Sequence, residues 1–174
     1  MKFELSEITP EQIKKLESRV ETNSKQIDGI VEGIIKPYIK DLDNYVSFIA
    51  ECLKDGNNPA TTQELEDFCM NLSTYIYFAG GMCENLGIRD DIAKAVYKEV
   101  YNTSRNSLMK GTVADKDAQA ALYSQEEQII SVCYTRAYKI VKAKVENAQE
   151  LLQSCKKVLS HRMSEEELTN IGGR

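Results

Sequence analysis

Cys133-Tyr134-Thr135-Arg136-Ala137-Tyr138-Lys139-Ile140-Val141-Lys142-Ala143-Lys144-Val145-Glu146-Asn147-Ala148-Gln149-Glu150-Leu151-Leu152 places apolar side chains at steps of three and four. That is the period of one face of an α-helix. The stripe begins at Ile130 and continues through Cys155, Val158 and Leu159, which suits packing in a bundle or a coiled coil. From Val113 to about Leu168 there is no proline, no glycine and no strong turn cluster. Thr112 is placed to cap this segment, and the reading is one helix of roughly 55 residues, near 80 Å long. A helix of that length needs partners.

Working back toward the N-terminus, Thr9-Pro10-Glu11-Gln12 reads as an N-cap, a proline at the first helical position and a capping-box glutamine. The helix it starts carries Ile13, Leu16, Val20, Ile27, Ile30 and Ile34. It should break or kink at Pro37, which lacks a backbone donor. A second stretch, Tyr38 to about Lys54, carries Ile39, Leu42, Tyr45, Val46, Ile49 and Leu53, and Asp55-Gly56 with Asn57-Asn58-Pro59 reads as the clearest loop. Thr61 or Thr62 caps a third helix with Leu65, Phe68, Cys69, Leu72, Ile76 and Phe78. Gly80-Gly81 should interrupt it as a kink or a close crossing, and Gly87 should end it in a left-handed cap. A fourth helix, Arg89 to Lys110 with Ile92, Val96, Val100 and Leu108, ends at Gly111. The fold class is therefore all-α, a helical bundle with a very long C-terminal helix.

A chain of 174 residues fits one domain with an adequate core. Residues 1–174 are read as a single helical domain, with acidic N-terminal helices over 1–56, middle helices over 61–111 and a long basic helix over 112–168. No signal-peptide core follows Met1, and the longest apolar run, Tyr75 to Met82, is too short to span a bilayer. A soluble protein of the cytoplasm is expected, that of a host cell if the chain is phage-encoded, with no membrane partner. Cys52, Cys69, Cys83, Cys133 and Cys155 form an odd set without a C-x-x-C pair, which fits neither a disulfide framework nor a zinc cluster. They read as reduced, mostly buried thiols.

The catalytic inventory is poor, with one histidine and no nucleophile elbow, P-loop or metal-binding spacing. His161, beside Arg162 near a helix end, reads as a surface residue interacting with terminal carbonyls. Asp41 with Asp43, Asp90 with Asp91, and Glu165 to Glu167 read as solvated charge without a convergent oxygen set. No enzyme activity, cofactor or metal is expected.

Charge is unevenly spread. The net charge is −5, yet residues 129–163 carry seven bases against Glu146 and Glu150. Within that segment, bases interleave with Tyr134 and Tyr138, four residues apart. Tyrosine faces can stack unpaired bases while Lys and Arg neutralise phosphates, which is how single strands are held without sequence preference. On a helical wheel the two tyrosines, Lys142 and Lys156 line the border of the apolar stripe, while Lys144 and Arg162 fall inside it and must snorkel or meet acids. The competing reading makes the tyrosines half-buried packing residues and pairs the bases with the acidic N-terminal helices.

Thr112-Val113-Ala114-Asp115-Lys116-Asp117, with the long helix ending in Lys156-Lys157-Val158-Leu159-Ser160-His161-Arg162, resembles the C-terminal part of phage recombination mediators of the UvsY type. The resemblance covers residues 85–163. It implies a small helical homo-oligomer that binds single-stranded DNA and helps load a recombinase onto strands occupied by single-strand-binding protein. By that resemblance Arg136, Lys139, Lys142, Lys144, Lys156, Lys157 and Arg162 are DNA contacts, while Tyr134 and Tyr138 follow from the stacking argument alone. The acidic N-terminal half departs from the family and is assigned to assembly or partner contacts. The expected function is thus a non-enzymatic accessory protein of phage-type recombination or replication. The alternative is a helical protein-interaction module, such as a phage-encoded inhibitor of a host protein.

Overall fold

A computed structural model of the protein describes residues 9–54 and 60–172 and folds them into four helices: α1 (Pro10–Lys54), α2 (Thr62–Ser107), α3 (Val113–Tyr123) and α4 (Gln125–Gly172). The fold is an all-α bundle with a long C-terminal helix. The expected loop at Asp55 to Pro59 lies outside the described residues.

Helix starts follow local chemistry. The Thr9 hydroxyl accepts from the Gln12 amide at 3.3 Å, and the Gln12 side chain accepts from the Thr9 amide at 2.9 Å. Thr61 with Glu64 and Thr112 with Asp115 form the same reciprocal box, each satisfying backbone donors that the first turn leaves unpaired. These hydrogen bonds draw both the Glu64 and Asp115 carboxyls below the usual carboxylate range.

Four boundaries differ from the sequence reading. Pro37 lies inside α1. The lost hydrogen bond would have gone to the Gly33 carbonyl, and both positions are exposed, so water can serve that oxygen. Val31 and Ile39, each 3% exposed, flank the proline, and their burial, about 1.5 to 3 kcal/mol each, matches or exceeds the roughly 3 kcal/mol that an interior proline costs. Gly80-Gly81 likewise sits within α2, carried through by buried Ile76, Ala79, Cys83 and Leu86 on one face.

Gly87 is helical too, so the expected third and fourth helices are one. Among the described residues only Gly111 has positive φ, 114°, and it follows the end of α2. A Cβ at Gly87 would stand 3.2 Å from Tyr138 Cε2, so this glycine serves the close crossing of α2 and α4 rather than a cap.

The expected helix over 112–168 is broken at Ser124, where φ is −103° and ψ 15°. Ser124 is fully buried, and both its amide (3.0 Å) and its hydroxyl (2.9 Å) donate to the Ala120 carbonyl. A serine bonding back to the preceding turn tightens and bends a helix. The Ser124 carbonyl then accepts from the Gln128 amide at 3.0 Å, and α4 begins.

Contacts give the directions. Asn23 and Asp28 share a groove with Thr135 and Lys139, and Asp43 meets Lys144 further along both helices, so α1 runs parallel to α4. Gly87 packs on Tyr138 and Asp90 bonds Thr135, so α2 runs antiparallel to α4. Asp117 of α3 meets Tyr101 and Arg105 of α2. Small residues on α4, namely Cys133, Ala137, Val145 and Ala148, pack with Val141 and Leu152 against Leu72, Leu86 and Ile49. Four cysteines are buried and Cys52 half-buried, all as free thiols, and burial pushes the Cys69, Cys83, Cys133 and Cys155 thiols up. Of the expected stripe, Ile130 and Val158 are instead exposed. Among the described residues no helix is long and apolar enough to cross a membrane.

Candidate nucleic-acid interface

Helical spacing sets what α4 can present. With Cys133, Ala137 and Val141 turned into the core, Arg136, Lys139 and Lys142 come out on the other side, all exposed. Among the described residues none of these three makes an ion pair within 4.0 Å. Arg136 and Lys139 line an open groove of about 530 Å³ between α1 and α4, together with Asn23, Ser24, Asp28 and Thr135. Lys142 lies one turn further on, close enough for its charge to act on the Cys83 thiol.

Below this cluster lies a buried polar network. Asp90 on α2 is 4% exposed. Its Oδ1 accepts from the Thr135 hydroxyl at 2.6 Å and its Oδ2 from Lys94 Nζ at 2.7 Å. Burial pushes the Asp90 carboxyl up, but the bonds from Lys94 and Thr135, with the charges of Lys94 and Lys139, outweigh it and hold the group below its usual range. Asp90 is therefore ionised, and it ties α2 to α4 directly beneath the basic residues. The sequence reading placed Asp90 with Asp91 as solvated charge; Asp91 is exposed and Asp90 is not.

The other candidate bases divide. Lys144 is half-buried and donates to Asp43 of α1 at 2.5 Å, and Arg162 donates to the Ala60 carbonyl. Lys144 thus ties α4 to α1 and Arg162 ties α4 to the segment that leads into α2, each meeting an acceptor for its position inside the apolar stripe. Lys156 and Lys157 are exposed but open onto different sides of α4: Lys156 lies beside Leu159, Ser160 and Met163, and Lys157 beside Ser73, Glu146 and Glu150. They follow Lys142 by about 20 Å at 1.5 Å per residue, with exposed Glu146 and Glu150 between. The structure thus gathers Arg136, Lys139 and Lys142 on one stretch of α4 and leaves Lys156 and Lys157 apart from them, on two different sides of the helix.

The two tyrosines are half-buried and pack against the core. The Tyr138 ring lies over Gly87. Tyr134 borders a shallow groove of about 320 Å³ with Arg89, Ile92, Val96, Glu127 and Ile130. Neither presents a ring free on both sides. His161 is exposed, 3.4 Å from Glu165, and sits within α4 rather than at its end, so its neighbour is a carboxylate and not a terminal carbonyl. Among the described residues no group of three or more His, Cys, Asp or Glu is placed to hold a metal ion.

Sequence reasoning missed Lys94 and Asp90, which join the patch from α2. Their i,i+4 spacing was visible, but only the α2–α4 crossing shows which acid is buried. No protein-family model, curated protein or solved structure matches the chain.

Proposed function

We propose that the protein is a non-enzymatic accessory factor that binds single-stranded DNA along the exposed face of α4 and works beside a recombinase or a single-strand-binding protein. The observation that carries this reading is the cluster of Arg136, Lys139 and Lys142, exposed and outside the ion pairs that consume Lys144 in a chain of net charge −5. Three bases within two turns, none of them in a direct ion pair among the described residues, make a local phosphate-binding site in an otherwise acidic protein. Lys156 and Lys157, about 20 Å further along α4, offer separate contacts to the same strand. Binding by such groups is electrostatic and indifferent to base sequence, because phosphate contacts carry no sequence information. Tyr134 and Tyr138 contribute to the scaffold beneath the patch.

The direct experiment is fluorescence anisotropy with labelled single strands of two unrelated sequences and the matching duplex. Equal affinity for the two single strands, above that for the duplex, supports the reading. No binding at low salt, where screening is weakest, removes it.

A second reading, a protein-interaction module, is favoured by one specific observation. Ile88, Ile92, Val96 and Ile130 stand exposed near the α2–α4 crossing, an apolar surface of the kind that protein partners cover. The same experiment separates the two readings.

A further inference from the structure

Phosphate contacts do not by themselves favour a single strand, because a duplex carries the denser line of charge. Tyr134 and Tyr138, half-buried against the core, offer no ring free on both sides to make up the difference. A preference for single strands therefore needs a place that only an unpaired base can enter.

The groove between α1 and α4 has that form. Before Val31, α1 is exposed except for half-buried Ile27, and there the two helices leave between them the open groove of about 530 Å³, within the range of roughly 300 to 1,000 Å³ usual for sites that hold small ligands. Both walls are apolar and uncovered: Val20, 66% exposed, on α1 and Val132, 49% exposed, on α4. Polar groups stand beside them. Ser131 is only 8% exposed. The Ser73 and Ser124 hydroxyls donate back to the carbonyl four residues earlier, whereas the Ser131 hydroxyl makes no hydrogen bond among the described residues. It is not sealed from solvent as Glu127 Oε2 is, so its donor and acceptor sites open on the groove it lines. Asn23, on the opposite wall, is likewise without a hydrogen bond among the described residues.

We propose that this groove seats one unpaired base of the bound strand, its faces against Val20 and Val132 and its edge on Ser131 and Asn23, while Arg136 and Lys139 hold the flanking phosphates. The proposal rests on the nucleic-acid reading and supplies its strand preference. Arg136 and Lys139 meet a single acid in the groove, Asp28, whose carboxylate accepts from the Ser24 hydroxyl at 3.2 Å, so the lining is net positive where phosphates would lie. Bases that are paired and stacked in a duplex keep their faces and edges covered and stay out, whereas unstacked bases are free to enter. The seat tolerates any base. A serine hydroxyl rotates and both donates and accepts, and an asparagine amide carries both functions, so purines and pyrimidines find partners alike.

The test is fluorescence anisotropy of the full chain at low salt, comparing an oligothymidine strand with a strand of equal length whose sugars carry no base, so that the phosphate count is the same. The base-bearing strand should bind about tenfold tighter, and log affinity should fall against log salt with the same slope for both. Ser131→Ala should lower the oligothymidine affinity about threefold and leave the abasic affinity unchanged. Asn23→Leu/Val132→Leu fills the groove from two exposed positions, and should bring the oligothymidine affinity down to the abasic value with the circular dichroism unchanged. Equal affinity of the unaltered protein for the two strands would overturn the base seat while leaving phosphate binding in place. A base-dependent advantage that survives both variants would overturn it as well. Binding of neither strand would remove the nucleic-acid reading together with it.

Discussion

Replacing Asp90 by asparagine removes the charge beneath the basic patch while keeping the shape of the side chain. Thr135 would still find an acceptor, but a neutral one, so its bond should fall from about 1.5 to 3 kcal/mol, as for a charged partner, to about 0.5 to 1.5. The attraction to Lys94 is lost as well. Lys94 is 47% exposed on its side chain, and solvent screening keeps that contribution below about 1 kcal/mol. Relief from burying a charge offsets part of the loss, leaving a net cost of about 1 to 2 kcal/mol. Urea denaturation followed by circular dichroism should show it as a midpoint lowered by about 0.5 to 1 M at a slope near 2 kcal/mol/M.

Acid should erase the difference. The Asp90 carboxyl is held below its ordinary range in the folded chain, so its stabilisation is complete above the unfolded value near 3.9 and is lost as pH falls through the lower folded value. The gap between wild type and Asp90→Asn should therefore be constant from about pH 7 to 5 and shrink below about pH 4. Thr135→Val, paired with Asp90→Asn in a double-mutant cycle, should show a coupling of about 1 kcal/mol. An Asp90→Asn protein as stable as wild type at pH 7, or a gap that widens in acid, would refute the reasoning.

Replacing Lys139 and Lys142 together with alanine should reduce the salt slope of single-strand binding by about 1.4 units if both meet phosphates, read by anisotropy across a salt series. Tyr138→Ala should destabilise the bundle by about 2 kcal/mol, less than a fully buried aromatic would cost, and leave the salt slope unchanged, because the ring packs over Gly87 rather than in solvent. Lys144→Ala should likewise leave the slope unchanged, since that ammonium is engaged by Asp43; a slope reduced as far as for Lys139 would show the pair opening to bind DNA.

What could be read from the sequence was what neighbouring residues decide. The three boxes, Thr9 with Gln12, Thr61 with Glu64 and Thr112 with Asp115, are closed by side chains three positions apart, and the α4 stripe is set by helical period alone. The misread elements are those where packing overrules local preference. Pro37, Gly80-Gly81 and Gly87 all carry breaker chemistry, yet buried neighbours hold the helices through them. Ser124 was missed for the opposite reason: no proline or glycine announces that break, although Ser124 and Glu127 have capping-box spacing.

For the interface, the basic segment was visible as composition. Which of its members are spoken for was not, because Lys144 meets an acid 101 residues away and Arg162 a carbonyl 102 residues away. The tyrosines kept two readings open in the sequence, and their half-buried packing on the core favours the scaffold role.

The salt dependence of single-strand affinity tests the central claim most directly. Five candidate bases are exposed on α4, namely Arg136, Lys139, Lys142, Lys156 and Lys157. At about 0.7 per phosphate contact, their engagement predicts that log affinity falls against log salt with a slope of roughly −3.5, or about −2 if only the Arg136, Lys139 and Lys142 patch binds. A slope in that interval, the same for unrelated sequences, is the result the account predicts. Binding that is insensitive to salt, or absent at low salt, would contradict it.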